Sequence, residues 1–156
     1  QSDYERRTQY LAEHRGYEDG SPEYLNLRQR IMKDWEQIAL YVDSDANDQI
    51  TLGEFLAYAE YVLGDATLWH ENSEDTADFI IEVCDVDGDG KITVDEYAIF
   101  FKAYDLTNEQ IKFAFEKLDA DGDGLVTQDE IVAALDQFGK SENPDDPGNY
   151  IFGPLD

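Results

Sequence analysis

The chain has 156 residues, enough for one domain or two closely packed halves at roughly 100–200 residues per domain. With 42% apolar and 13% aromatic residues it can bury a core, which excludes a disordered acidic tail. The 37 acidic residues against 11 basic ones give a formal charge of −26, a field that repels phosphate backbones and anionic leaflets and makes nucleic acid and membranes poor partners.

The N-terminal QSDYERRTQY is too polar for a signal peptide, and no apolar run approaches the roughly 20 residues of a membrane span. The single cysteine, Cys84, forms no internal disulfide, so nothing calls for an oxidising compartment and a cytoplasmic location is expected. Gln1-Ser2-Asp3-Tyr4 places an acid and an aromatic ahead of a helical pattern. Asp3 reads either as the last residue of a truncated N-terminal loop or, with Ser2, as a simple helix cap. Both readings stay open.

Trp35, Ile38, Ala39 and Val42 then form the stripe of an amphipathic helix, followed by DSDANDQITLGE at Asp43 to Glu54. The stripe resumes with Phe55, Tyr58, Ala59 and Val62. Gly64 to Asp75 reads as an irregular connection between halves. Ala77, Ile80, Ile81 and Cys84 precede a second loop, DVDGDGKITVDE at Asp85 to Glu96, and Tyr97, Phe100, Phe101 and Tyr104 follow it. A short linker near Asp105 to Asn108 leads to Thr107 and Gln110, spaced as a capping box. Ile111, Ala114, Phe115 and Leu118 introduce the third loop, DADGDGLVTQDE at Asp119 to Glu130, and Ile131, Ala134, Leu135 and Phe138 leave it. Helix, acidic loop, helix, three times over, is the EF-hand unit.

Coordination explains the spacing. Ca²⁺ takes about six to eight oxygens, and a twelve-residue loop supplies them from positions 1, 3, 5, 7, 9 and 12. The expected ligands are Asp43, Asp45, Asn47, Gln49, Thr51 and Glu54 in the first loop; Asp85, Asp87, Asp89, Lys91, Thr93 and Glu96 in the second; and Asp119, Asp121, Asp123, Leu125, Thr127 and Glu130 in the third. Gln49, Lys91 and Leu125 would act through backbone carbonyls and the threonines through a bridging water. The loops hold 14 of the 37 acidic residues and one base, Lys91, so half of the net charge is ligand chemistry and half is solvated surface. One D-x-D-x-D match arises by chance in an acidic protein; three in register with matching flanks do not.

The first loop departs from the pattern. Position 5 is the neutral Asn47, and position 6 is Asp48 where the others have Gly90 and Gly124. A left-handed Asp costs roughly 1 kcal/mol, and the loop has three ligand carboxylates against four. It is expected to bind, more weakly than the others. Ile50, Ile92 and Val126 at position 8 are where loops would pair as short antiparallel ribbons. The second and third loops start 34 residues apart and are the expected pair.

The three loops, WEQIALYVDSD before the first, and the tail SENPDDPGNYIFGPLD resemble the sarcoplasmic calcium-binding proteins, a buffer family that includes calexcitin and luciferin-binding proteins. The resemblance covers nearly the whole chain and implies that the Pro-Gly-Asn-aromatic tail packs back on the domain. Asp48 and the absence of a complete fourth loop depart from the family pattern and bear on calcium stoichiometry. Photoprotein relatives use His, Trp and Tyr to hold a coelenterazine peroxide; here His14 and His70 fall in no such constellation and read as surface residues. Cys84, one residue before a loop, reads as a buried structural thiol. Tyr150, Ile151, Phe152 and Leu155 are too apolar for a free end and suggest docking in a groove between the halves.

The expectation is an all-α fold of EF-hand pairs, two-lobed, with short loop–loop ribbons. An N-terminal half spans 1–64, a C-terminal pair 65–140 and a docked tail 141–156. No nucleophile–base pair, phosphate loop or catalytic zinc spacing is present, so no enzyme is expected. The expected function is monomeric intracellular Ca²⁺ buffering at three sites, with Mg²⁺ as the candidate competitor. The alternatives are a Ca²⁺ sensor that grips a target helix and a carrier or photoprotein holding a luciferin-like ligand.

Overall fold

The computed structural model describes residues 2–102 and 106–153, with the side chains of Ser2 and Asp3 excepted. Tyr104, Asp105 and Leu155 therefore lie outside the described residues, as does the choice between loop end and cap at Ser2 and Asp3. Helices dominate: α1 (Ser2–His14), α2 (Pro22–Val42), α3 (Leu52–Leu63), α4 (Ala66–Cys84), α5 (Val94–Lys102), α6 (Asn108–Leu118) and α7 (Gln128–Phe138). Two three-residue strands, β1 (Lys91–Thr93) and β2 (Leu125–Thr127), and a 3-10 turn at Pro147–Tyr150 complete the order. No helix of the described residues is long and apolar enough to cross a membrane. The chain divides into two compact units, Gln1–Ala66 and Thr67–Asp156.

Helix starts follow from capping chemistry. Ser21 accepts the Tyr24 N–H at 3.1 Å and Pro22 opens α2, where a missing N–H costs nothing. Thr51, Thr107 and Thr127 form reciprocal capping boxes with Glu54, Gln110 and Glu130, as the Thr107–Gln110 spacing predicts. The connection expected to be irregular from Gly64 to Asp75 is instead mostly helical, because α4 begins at Ala66. Its buried face includes Ser73, which hides the apolar period in the sequence. The Ser73 hydroxyl donates to the Trp69 carbonyl one turn back at 2.9 Å, so the helix itself satisfies this buried polar group.

In the first unit, Leu11, Ala12, Leu27, Ile31, Val42 and Val62 are buried. Tyr4 and Trp35 pack with ring centroids 5.2 Å apart. The stripes around the first loop are less covered than their spacing suggests. Trp35, Ile38 and Tyr58 are half-buried, and Phe55 is 53% exposed. Asp34 in α2 is partly enclosed, and burial pushes its carboxyl up to about 6, with Arg30 pulling the other way.

The second unit is more fully packed. β1 and β2 pair antiparallel with Ile92 opposite Val126, both completely buried, as position 8 of each loop predicts. Ile50, the equivalent residue of the first loop, is in no strand of the described residues. Around the ribbon, Tyr97 stacks on Phe101 at 4.2 Å and meets Phe115 edge-on at 5.7 Å, while Phe100 meets Phe101 at 5.0 Å. Cys84 is buried, as expected. Phe138, expected in the stripe, is 38% exposed and meets Phe152 edge-on at 5.7 Å.

The tail docks on α6 and α7 of this unit. Ile151 is 1% exposed, Tyr150 meets Phe113 edge-on at 5.1 Å, and the Tyr97 hydroxyl donates to the Ile151 carbonyl at 3.4 Å. Gly148 lets the turn approach α7: its N–H donates to Gln137 Oε1 at 2.6 Å, and a Cβ there would lie 2.4 Å from the Ala134 carbonyl oxygen. That oxygen belongs to helix backbone and cannot step aside.

Two tests follow from this packing. Gly148→Ala should lift the turn off α7 and cost about 1–3 kcal/mol, read as a lower unfolding midpoint and faster proteolysis after residue 140. Asp34 binds a proton more tightly folded than unfolded, so its contribution to stability declines as pH rises from about 4 through about 6. Asp34→Asn should therefore stabilise the protein by about 1–2 kcal/mol at pH 7, after allowance for partial solvation, and by little near pH 4. Denaturant titration at the two pH values measures the difference.

Candidate metal centres

Each loop gathers three carboxylates from positions 1, 3 and 12. The groups are Asp43, Asp45 and Glu54; Asp85, Asp87 and Glu96; and Asp119, Asp121 and Glu130. One oxygen from each lies within 4.8 Å of the other two in its group. Left bare, such trios repel themselves, and backbone N–H groups hold them. In the second loop Asp85 accepts from Gly88 N–H at 2.7 Å and Gly90 N–H at 2.9 Å. In the third loop Asp119 accepts from Gly122 at 2.8 Å and Gly124 at 2.9 Å. In the first loop Asp43 accepts from Asn47 at 3.1 Å and Asp48 at 2.8 Å.

The glutamates at position 12 are fixed at both oxygens. Glu96 accepts from the Thr93 N–H and hydroxyl, each at 2.8 Å, and from the Val86 N–H at 2.9 Å. Glu130 repeats this with Thr127 and Ala120, and Glu54 with Thr51 and Ser44, whose hydroxyl adds a further bond at 3.0 Å. The expected role of the threonines, a water bridge to the ion, is thus joined by a second one: they hold the glutamate. The T-x-x-E spacing of TLGE, TVDE and TQDE carried that signal.

These bonds set the charge. The Thr51 N–H and hydroxyl, with the Ser44 hydroxyl, lower the Glu54 carboxyl to about 2. Burial pushes Glu96 and Glu130 up, but the N–H donors of Thr93, Val86 and Thr127 outweigh it and both lie below the usual carboxylate range. All three glutamates are anionic near neutral pH. Hard oxygen donors with no thiolate or imidazole among them fit Ca²⁺ rather than a soft metal.

The other expected ligands are placed differently. Asp89 and Asp123 at position 5 stand outside the gathered trios, and each closes its loop by accepting the position-7 N–H, from Lys91 and Leu125, at 2.8 Å. Asn47 does the same for Gln49 at 2.8 Å. Lys91 and Leu125 open the two strands, and the ribbon sets position 7 of each loop opposite the position-9 threonine of the other. The Lys91 ammonium also reaches Asp123 across the ribbon at 3.9 Å. His70 lies on α4, with Nδ1 2.9 Å from Asp136 and Nε2 3.8 Å from Glu74, away from the loops. Ser44 and Ala46 were not singled out from the sequence; the glycine at position 4 of the other two loops marked a backbone need that Ala46 meets without glycine.

Residues 78–102 match an EF hand model and residues 110–139 an EF-hand domain model. No curated protein matches the sequence. Among solved structures, a Streptomyces coelicolor calcium-binding protein described in terms of prokaryotic calcium-mediated regulation aligns with a TM-score of 0.70 and 26% identity, over 88% of this chain and 84% of that one. A sarcoplasmic calcium-binding protein from amphioxus aligns with a TM-score of 0.65 and 16% identity, over 95% of this chain and 83% of that one. The fold is therefore that of the sarcoplasmic calcium-binding proteins, as the loops and tail suggested. The matched families are those of calcium-binding proteins, not of enzymes, and Ca²⁺ binding through EF-hands follows for this chain.

The ribbon gives a direct test of coupling. Glu96→Gln removes one charge of the second trio and should abolish that site while weakening the third by about tenfold through the shared strands. Calorimetric titration should lose one step and shift a second. A third-loop step that keeps its midpoint would show the ribbon to be energetically silent.

Proposed function

We propose that the protein is an intracellular, cytoplasmic Ca²⁺ buffer that acts as a monomer and holds three ions, with Mg²⁺ competing for the same loops. The ligands would be the side chains of Asp43, Asp45, Asn47 and Glu54; of Asp85, Asp87, Asp89 and Glu96; and of Asp119, Asp121, Asp123 and Glu130. Backbone carbonyls of Gln49, Lys91 and Leu125 and water on Thr51, Thr93 and Thr127 would complete the shells.

The observation that carries the buffer reading is the closed interior of the second unit. Sensor hands open on Ca²⁺ to expose a flexible, methionine-rich groove. This chain has one methionine, Met32, and it lies in α2 of the first unit. The second unit instead interlocks Tyr97, Phe100, Phe101 and Phe115 and is covered by Ile151 of the tail. Opening it would return that area to water at roughly 25 cal/mol per Å².

A second reading is regulation through a target helix. The likeness to the Streptomyces coelicolor protein, with its calcium-mediated regulation, favours it. Leu40, Tyr41, Leu52, Leu56 and Tyr61 of the first unit, all more than half exposed, supply apolar surface for it. Adding Ca²⁺ to chelator-treated protein in the presence of a dye that brightens on exposed apolar surface separates the two. A buffer should lose dye emission as the loops close; a clear rise on Ca²⁺ binding overturns the buffer reading in favour of regulation.

A further inference from the structure

Positions 4 and 6 of every loop adopt the left-handed backbone. In the second and third loops they are glycines, with φ of 79° and 82° at Gly88 and Gly90 and of 74° and 84° at Gly122 and Gly124. In the first loop the same conformation is imposed on Ala46 (φ 55°) and Asp48 (φ 62°), the only non-glycine residues at positive φ among the described residues. The conformation at position 6 serves the bond to the first carboxylate: Asp48 N–H reaches Asp43 at 2.8 Å, as Gly90 and Gly124 reach Asp85 and Asp119 at 2.9 Å. Asp48 cannot leave this conformation without releasing the Asp43 carboxylate, and Ala46 holds the left-handed backbone at position 4 with the penalty of a Cβ that glycine avoids.

Position 5 differs in a second way. Asp89 and Asp123 each accept the position-7 N–H at Oδ1 and carry a second carboxylate oxygen, which in Asp123 lies 3.9 Å from the Lys91 ammonium. Asn47 has one oxygen, which accepts from Gln49 N–H at 2.8 Å, and in place of a second oxygen an amide nitrogen, which donates to Asp45 Oδ2 at 2.8 Å. Asp45 belongs to the gathered trio. Asn47 therefore offers a single neutral oxygen where the other loops offer a carboxylate, and its nitrogen engages one oxygen of a trio member.

We propose that Ala46, Asn47 and Asp48 together set the affinity of the first loop and make it the last of the three to fill. The chain then responds to Ca²⁺ in two stages: the ribbon-joined loops first and the first loop at higher concentration. The inference rests on the reading of the first loop as a Ca²⁺ site.

Calorimetric titration with Ca²⁺ tests it on four forms: the unaltered protein, Glu54→Gln, Asn47→Asp, and the double variant Ala46→Gly with Asp48→Gly. Glu54→Gln identifies the first-loop step as the one it removes, and far-UV circular dichroism confirms that each variant is folded. The weakest step of the unaltered protein should be the one lost in Glu54→Gln. Asn47→Asp should tighten that step about tenfold by adding a ligand charge. The double glycine variant should tighten it by about tenfold as well, the relieved strain exceeding the added loop entropy. The steps of the other two loops should keep their midpoints. A third step that appears only in the variants supports the same assignment. A Glu54-dependent step that neither variant moves overturns the inference and leaves the three-site reading intact. Saturation at two ions in every form overturns the three-site reading and the inference with it.

Discussion

In each loop three carboxylates meet within 4.8 Å, and their mutual repulsion is the constraint around which the backbone is built. The loop answers with N–H groups. Asp85 and Asp119 each draw in the backbone of positions 4 and 6, and the position-12 glutamates are held at one oxygen by position 2 and at the other by the threonine of position 9. The same donors that lower the carboxyl groups of Glu54, Glu96 and Glu130 also start the helices that leave the loops. A cation placed among these oxygens would meet a site whose charge and helix positions are already coupled. That coupling is why the sequence requires Thr and Glu three residues apart as well as Asp at alternating positions.

The two units settle the problem with different resources. In the second unit a ribbon, an aromatic cluster and the tail all bear on the loop-flanking helices, and Ile92, Val126 and Ile151 are almost wholly removed from water. In the first unit the core is made largely by α1 and α2, with Leu11, Leu27 and Ile31, while the helix leaving the loop buries only Val62. One unit is thus consolidated around its loops and the other mainly beside its loop. The contrast matches the loop chemistry, since the loops with glycine at positions 4 and 6 belong to the consolidated unit.

Much of this was legible in the residues. Loop positions are tied to metal geometry, so an aspartate at 1 and 3 and a glutamate at 12 could be placed with no knowledge of packing. Ile92 opposite Val126 followed from the same register. What escaped was context-dependent. The helix from Ala66 was obscured because Ser73 occupies a buried position and bonds within its own helix. Phe55 and Phe138 lie at correct stripe spacing, yet both remain exposed, because periodicity reports which face a residue shares and not how far that face is covered. The strain at Ala46 was unseen because alanine carries no sign of its own; only the paired glycines of the other loops betray the backbone demand.

The two tryptophans fall one to each unit, and their surroundings differ. Trp35 lies against Tyr4 on the helix that enters the first loop. Trp69 backs onto Gly139, where an added Cβ would fall 2.2 Å from the indole ring. Indole emission shifts with the polarity and rigidity of its neighbours, so the molecule carries two native optical labels. Replacing either one with phenylalanine leaves a single-colour reporter of the remaining unit. The folding and ion uptake of each half can then be followed in real time, without attaching any foreign fluorophore.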